Sequence, residues 1–252
     1  MGLKDPYEGE PIKEVLIKAL KRGLIPETLC FFVLRRCVCI GRGSSLKEKV
    51  NLEYCRKEGI PIIRIITGGG GASHDGDVLQ CILVSKGKPS KDSIRLSRNF
   101  IAEGLQVMGL EPELRPRSND ILMKGRKISG TGDIFTGGIS YSVGVLIVDF
   151  NYDLCEKVLL PVPETFLNKE ANSHREWITT LKAQLGREVS FSEVISDIKE
   201  VFETELQIEF KIENSLTEAE TQIFEELQEK YRSEEWTKTG RWSPVKDYWR
   251  PN

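Results

Sequence analysis

An α+β fold, a central mixed sheet covered by helices, is the architecture that this sequence predicts. Three observations point to it. Amphipathic helical stretches cluster toward the two ends of the chain, strand-like apolar runs joined by hairpin signals occupy the middle, and no strand–helix alternation builds a doubly wound sheet. At 252 residues the chain suits one large domain or one domain plus a small appendage.

The elements follow in order. Pro11 to Lys21 reads as a helix, with Ile12, Val15, Leu16 and Ala19 on one face and Gly23 ending it. Leu29 to Ile40 reads as a strand that runs into the turn Gly41-Arg42-Gly43-Ser44-Ser45. Leu52 to Glu58 is a short helix stopped by Gly59, and Ile60–Ile66 and Val78–Val84 are strands on either side of a glycine run. Ser90 caps a helix with Ile94, Ile101, Leu105 and Met108 along one side. Glu113 to Arg117 is extended. Ile121–Met123 and Arg126–Ser129 form a hairpin across Lys124-Gly125. Gly130 to Gly138 reads as a mobile, glycine-rich stretch before a strand over Ser140–Asp149. Beyond Glu156 the pattern becomes helical. Arg175–Leu185 is one helix, and Ser190-Phe-Ser-Glu193 and Thr217-Glu-Ala-Glu220 are capping boxes opening two more. Between those two, Leu206–Ile212 alternates as a strand.

Composition narrows the function classes. Hydrophobic residues at 39% and charged residues at 29% are those of an ordinary soluble protein. A net charge of −2 offers no basic surplus for nucleic acid. The apolar runs are strand-sized, which predicts no membrane partner, and the N-terminus has no apolar signal core. Six cysteines contain no C-x-x-C pair, and two histidines are too few for a His-based metal site. The expectation is a reduced, cytoplasmic protein.

The stretch that demands an account is Arg64-Ile-Ile-Thr-Gly-Gly-Gly-Gly-Ala-Ser-His-Asp75. Four glycines after an apolar strand carry a large entropic cost. They make either a loose hairpin turn or a loop whose N–H groups cradle a phosphate or carboxylate. The run is not a P-loop, because Ser73-His74-Asp75 stands where Lys-Ser/Thr is needed. It is not a dinucleotide fingerprint either, because a strand follows it. Countercharge must therefore come from elsewhere. Asn119-Asp120, at a strand entrance, suits either Mg²⁺ and phosphate or an Asx turn. Lys127, in Gly125-Arg-Lys-Ile-Ser-Gly130, is either a solvated edge lysine or a ligand-binding cation.

The order of these motifs resembles the lipoate–protein ligase A family, within the wider group of biotin ligases and octanoyltransferases. Arg64…Thr67-Gly-Gly-Gly…His74-Asp75, Ser118-Asn119-Asp120, Lys127-Ile-Ser-Gly130, Cys39-Ile-Gly-Arg42 and Tyr231-Arg-Ser-Glu-Glu-Trp236 carry the likeness, from Thr28 to Trp236. The resemblance implies the class II synthetase-like fold of biotin and lipoate ligases over residues 1–240, with 241–252 a tail and the family's small C-terminal accessory domain absent. It implies a two-step reaction. Lipoate and ATP give lipoyl-AMP, and the acyl group then passes to a lysine of a lipoyl carrier domain. Lys127 would touch the carboxylate and α-phosphate. Arg64, Thr67, Gly69, Asn119 and His74 would complete the nucleotide site, with the N–H groups of Gly70, Gly71, Ala72 and Ser73 on phosphate. Asp120 would hold Mg²⁺, while His74 and Asp75 brace the loop. A separate small accessory subunit would complete activation. An octanoyl or lipoyl transferase, tested at Cys81 and Cys155, and a non-catalytic lipoyl-binding protein are the alternatives. The chain departs from the family pattern at Ile65, where a second arginine is usual, at Val143-Gly-Val145 in place of His-Gly-Thr, and at Asp133.

Overall fold

The architecture comes from a computed structural model, described for residues 2–87, 96–114, 119–160 and 171–242. The strands are β1 (Leu3–Lys4), β2 (Thr28–Leu34), β3 (Cys37–Ile40), β4 (Ile62–Arg64), β5 (Gly71–His74), β6 (Val78–Lys86), β7 (Glu113–Leu114), β8 (Asp120–Met123), β9 (Arg126–Thr136) and β10 (Ile139–Ile147). Seven of them form one sheet in the order β1-β2-β6-β10-β9-β8-β7, and β4-β3-β5 form a smaller one. β1 runs parallel to β2 and β3 parallel to β4; the other pairings are antiparallel. The α+β expectation and the mixed sheet hold.

The helices are α1 (Pro6–Lys21), α2 (Leu46–Lys49), α3 (Leu52–Lys57), α4 (Leu96–Val107), α5 (Tyr152–Val158), α6 (His174–Trp177), α7 (Leu181–Leu185), α8 (Phe191–Leu206), α9 (Glu218–Arg232) and α10 (Glu234–Thr239). They cover both faces of the large sheet. Tyr141 and Val143 of β10 pack with Ile12, Val15 and Leu16 of α1, Ile223 and Leu227 of α9, and the small sheet. Leu146, from the opposite face of β10, packs with Phe100, Ile101 and Leu105 of α4 and Val194, Ile198 and Phe202 of α8. Sandwiched this way, β6 buries every residue from Val78 to Val84, which is why it reads as a near-continuous apolar run interrupted by Gln80.

Several elements differ from the sequence reading, each for a local reason. α1 starts at Pro6, capped by Asp5 through the Tyr7 N–H (2.9 Å), so Pro11 lies inside it. Proline cannot donate to the carbonyl four residues back, and Gln228 of α9 donates to that Tyr7 carbonyl instead (3.0 Å). The Leu29–Ile40 run divides at exposed Arg35 and Arg36, sending β2 to the large sheet and β3 to the small one. Arg175–Leu185 is two short helices, because Thr180 caps the second through the Ala183 N–H (3.1 Å). Gly130–Thr136 is not loose: it continues β9, paired to β10 throughout. Helix α8 runs through Leu206 and ends at Gln207, in the left-handed region at φ 52°, and Ile208–Ile212 joins no strand. The Ser90 cap, Ile94, Arg115–Ser118 and the tail beyond Trp242 lie outside the described residues.

Candidate functional site

A β-bulge presents the lysine. In the β8–β9 ladder Ile121 faces Ser129 and the next residue, Leu122, faces Lys127, so Ile128 is one residue too many. An extra residue reverses the side-chain alternation beyond it. Lys127 consequently emerges on the same face as Gly130 and as Asp120, the partner of Gly130. There its Nζ lies 2.6 Å from Asp120 Oδ1, with both side chains about a quarter exposed (27% and 23%). A Cβ at Gly130 would stand 2.9 Å from that Nζ. Glycine is thus what leaves room for the ammonium group. The hairpin itself is fixed from below. Arg126 donates to the carbonyls of Arg175 (2.8 Å) and Glu176 (3.0 Å), and the Thr179 N–H donates to the Lys127 carbonyl (2.8 Å). Asn119 is exposed, with its carbonyl taking the Thr131 N–H (2.8 Å).

The glycine run forms a second, separate piece of the site. Gly68, Gly69 and Gly70 are exposed, and Gly69 adopts φ 114°, a conformation that glycine alone takes readily. Gly41 closes on this turn so tightly that a Cβ there would meet the Gly69 carbonyl oxygen at 2.1 Å. The Gly41 N–H donates to the Gly70 carbonyl (3.0 Å), the Arg42 N–H to that of buried Thr67 (2.8 Å), and the Ser44 hydroxyl to that of Gly69. The Gly41–Gly70 bond sets the phase of the ladder. Alternation then turns the main-chain groups of Ala72 and His74 toward β3, and those of Gly71 and Ser73 outward. Of the four N–H groups expected on phosphate, that of Ala72 is thus committed to the sheet.

Arg64 is placed differently from the expectation of a ligand contact. It is 1% exposed and donates to the carbonyls of Gly41 (2.6 Å), Arg42 (2.9 Å), Ser44 (3.0 Å), Thr237 (2.9 Å) and Lys238 (3.3 Å). It clamps the turn after β3 to the carbonyl end of α10, where a cation is favoured. Trp236 of α10 returns a bond from Nε1 to the Arg64 carbonyl (2.8 Å). His74 is likewise inside, 5% exposed and hydrogen-bonded with Cys39. Asp75 bonds Arg36 (2.8 Å) and Asn151 (2.8 Å). Burial would raise its carboxyl, but these partners hold it below the usual aspartate value. In the structure both residues face protein partners that brace the strand.

The two pieces are joined through helices. Lys127 bridges to Ile178 just after α6, the Tyr152 hydroxyl of α5 bonds the Ile178 carbonyl (3.2 Å), and Asn151, which caps α5, bonds Asp75 after β5. Hard oxygen donors at Asp120 and Asn119 suit Mg²⁺. Among the described residues no cluster of three or more acidic, His or Cys side chains could hold a metal alone, so phosphate oxygens and water would complete the shell. An acidic pocket lined by Asp75, Asp77 and Asp149 is a weaker candidate, since Arg36, Asn151 and Lys182 already engage its carboxylates. The departure at Asp133 lies off the site. Strand alternation puts it on the opposite face from Gly130, bonded to Ser142.

The six thiols are free, and five of them are buried. Burial pushes Cys30, Cys55 and Cys155 up to about 11, the last despite a hydrogen bond from Ser73, and Cys81 higher still. Sequence reasoning missed Gly41, Ser44 and Gly130 as parts of the site. The Gly-Arg-Gly spacing at 41–43 is the signal that could have flagged the first two.

Comparisons with known proteins bear on the family and the fold. The family profile described as the lipoyl protein ligase A/B catalytic domain matches residues 5–203. The octanoyltransferase LipM of Clostridioides difficile is 26% identical over 92% of this chain and 95% of its own. Lipoate-protein ligase A subunit 1 of Thermoplasma acidophilum is 29% identical over 88% of each. Among solved structures, a bi-partite lipoate protein ligase from Thermoplasma acidophilum, studied with its E2 lipoyl domain, superposes with a TM-score of 0.79. It is 26% identical, covering 97% of both chains. Among the described residues no helix is long and apolar enough to cross a membrane. With more than half its length matched, the chain belongs to the lipoyl protein ligase A/B catalytic-domain family.

Proposed function

We propose that this chain is an ATP-dependent lipoate–protein ligase that forms lipoyl-AMP and passes the lipoyl group to a lysine of a lipoyl carrier domain. The observation that carries the reading is the bulge that sets Lys127, Asp120 and the open space of Gly130 on one face. In the first step a lipoate carboxylate oxygen attacks the α-phosphorus and pyrophosphate leaves. Lys127 Nζ holds the carboxylate beside the phosphorus and offsets charge as it builds on the phosphate oxygens. The exposed glycine turn and the outward N–H groups of Gly71 and Ser73 receive phosphate, and Asn119 orients it. Asp120, drawn from Lys127 to a divalent cation, would hold Mg²⁺, which neutralises phosphate charge when bound. In the second step the carrier lysine's amine attacks the carbonyl carbon and AMP leaves, with Lys127 stabilising the carbonyl oxygen. No protein nucleophile is required.

A second reading, octanoyl or lipoyl transfer between carriers, is favoured by the octanoyltransferases that match over nearly the whole chain. Against it stand the thiols. An acyl-accepting cysteine needs an accessible, lowered-pKa sulfur, and burial raises Cys81 and Cys155 instead. A separate small subunit as partner is supported by the matching two-part ligase. The test is intact mass of a lipoyl domain after incubation with lipoate, ATP and Mg²⁺, or with an octanoylated carrier and no nucleotide. The ligase reading expects a gain only with ATP, with pyrophosphate released, and a loss of about 10²-fold or more in Lys127→Ala. ATP-independent transfer, or transfer that survives Lys127→Ala, refutes it.

A further inference from the structure

Along β9 the face that carries Lys127 is formed in turn by Gly130, Gly132 and Ile134. Along β10 it is formed by Val145, Val143 and Tyr141. The two glycines leave a half-buried strip without side chains, and among the described residues a Cβ at Gly132 would meet Val143 Cγ1, at 3.8 Å, and nothing nearer. Glycine in a central strand weakens it and marks close approach by something else. From the Gly130 row to the Tyr141 row is four residues, about 13 Å of strand at roughly 3.3 Å each.

The far end of this strip is polar and unfinished. Glu10 (1% exposed), Tyr141 (0%) and His74 (5%) each leave one polar atom unpartnered: Glu10 Oε2, the Tyr141 hydroxyl and His74 Nδ1. Their other atoms are held. Lys13 Nζ bonds Glu10 Oε1 at 2.6 Å, and Cys39 reaches the same oxygen (4.0 Å) while bonding the His74 ring. Cys39 joins the three: its thiol reaches Glu10, its strand pairs with the one that carries His74, and it shares one core cluster with Tyr141. Buried polar atoms left in this way are completed by a ligand or by water.

We infer that the strip is an acyl groove whose closed end selects carboxylic acids with an O–H or S–H donor near the end remote from the carboxylate. Hydroxylated medium-chain acids and lipoate in its reduced, dithiol form are of this class. The inference rests on the ligase reading and deepens it. An ionised Glu10 oxygen only accepts, so it requires a donor. Tyr141 can give or take, and His74 takes whichever role its proton leaves. A plain alkyl end satisfies none of the three, and dithiolane sulfurs give Glu10 nothing.

The test measures binding to the whole protein by calorimetry, with no ATP and no carrier, for octanoate, 8-hydroxyoctanoate, lipoate and dihydrolipoate. The hydroxy acid and the dithiol are expected to bind about ten-fold or more tightly than octanoate and lipoate respectively. Tyr141→Phe and Glu10→Gln should each bring those ratios toward one. If Tyr141→Phe fails to fold, the near-isosteric Glu10→Gln decides. Equal binding of octanoate and 8-hydroxyoctanoate, or ratios unmoved in the variants, overturns the inference and leaves a buried water as the completing group. Selective binding with no ATP-dependent acylation would instead fault the ligase reading and leave the subsite standing.

Discussion

Replacing Gly130 with alanine separates the site from the fold more cleanly than removing the lysine does. The new Cβ would lie 2.9 Å from Lys127 Nζ and 3.1 Å from its Cε. Favourable non-bonded contacts begin near about 3.5 Å, so the ammonium group must retreat by roughly 0.6 Å. It can do so cheaply, because the obstacle is the free end of a flexible, partly exposed side chain and the backbone of Lys127 is pinned independently by the Thr179 N–H. The retreat does, however, move the 2.6 Å contact with Asp120 and the cation on which both chemical steps depend. Displacements approaching 1 Å at a reacting group cost about 10²-fold. Gly130→Ala should therefore lower kcat/KM for ATP-dependent carrier acylation by roughly 10- to 100-fold. The thermal midpoint should fall by less than about 3 °C, under 1 kcal/mol for a chain of this size. Steady-state acylation monitored by intact mass, beside differential scanning fluorimetry, reads both. Undiminished activity would refute the placement of Lys127, and a large loss of stability would refute the claim that only the lysine tip is in the way.

Three further outcomes follow from the same geometry. Arg64→Met removes donors to five carbonyls. At about 1.5–3 kcal/mol per charge-assisted bond, partly recovered by water, the net loss is about 3 kcal/mol, or roughly 6–12 °C in midpoint. If the midpoint is unchanged while ATP affinity collapses, Arg64 is a nucleotide contact and not a clamp. Cys81→Ser and Cys155→Ser should both keep ATP-dependent acylation, and the native thiols should react with iodoacetamide far more slowly at pH 8 than free glutathione does; an acylated cysteine trapped by mass spectrometry would contradict this. Burial raises the Asp133 carboxyl above the ordinary aspartate value, only partly offset by Ser142, so its favourable contribution is full in acid and lost as pH rises through the raised value. Asp133→Asn should accordingly be more stable than wild type at pH 7, with the two urea curves converging as pH falls below the ordinary aspartate range.

Elements whose character is local were legible in the sequence. Thr217 and Glu220 form the full reciprocal capping box expected of them, and the helix they open buries Ile223, Leu227 and Tyr231 as its spacing predicts. Ser190 accepts the Glu193 N–H, but the Glu193 carboxylate turns to Arg187 instead of back to the cap, so only half of that box forms. Partner-dependent features were not legible. The alternating stretch Leu206–Ile212 has the composition of a strand but pairs with none of the described strands, whereas glycine-rich Gly130–Thr136 is a strand because β10 pairs with it along its whole length. The site divides along the same line. Lys127, Asp120 and the glycine turn were visible as motifs, because their residue types are unusual where they stand. The bulge at Ile128 was not, since an extra residue exists only relative to a neighbouring strand. The burial of Arg64 was hidden for a related reason: its partners Thr237 and Lys238 lie more than 170 residues away.

That distant contact resolves the cost posed by four consecutive glycines. A free turn of this composition would lose a great deal of backbone entropy each time it closed on a phosphate. Here the order is already imposed. The Gly69 and Gly70 carbonyls are taken by Ser44 and Gly41, the Thr67 carbonyl by Arg42, and the turn that supplies these donors is held by Arg64 against the carbonyl end of α10. Every one of those bonds uses a carbonyl, which turns oxygen away from an incoming anion and leaves amide hydrogens to face it. Preorganised donors of this kind act on developing charge without reorganising at the moment of reaction. The missing second arginine at Ile65 is therefore less damaging than a count of cations suggests. Ile65 packs half-buried against the α1 core, and the single remaining arginine serves the loop's shape rather than its charge. Among the described residues assigned to the site Lys127 is the cation, which is why its height above Gly130 should matter more than most distances in the molecule.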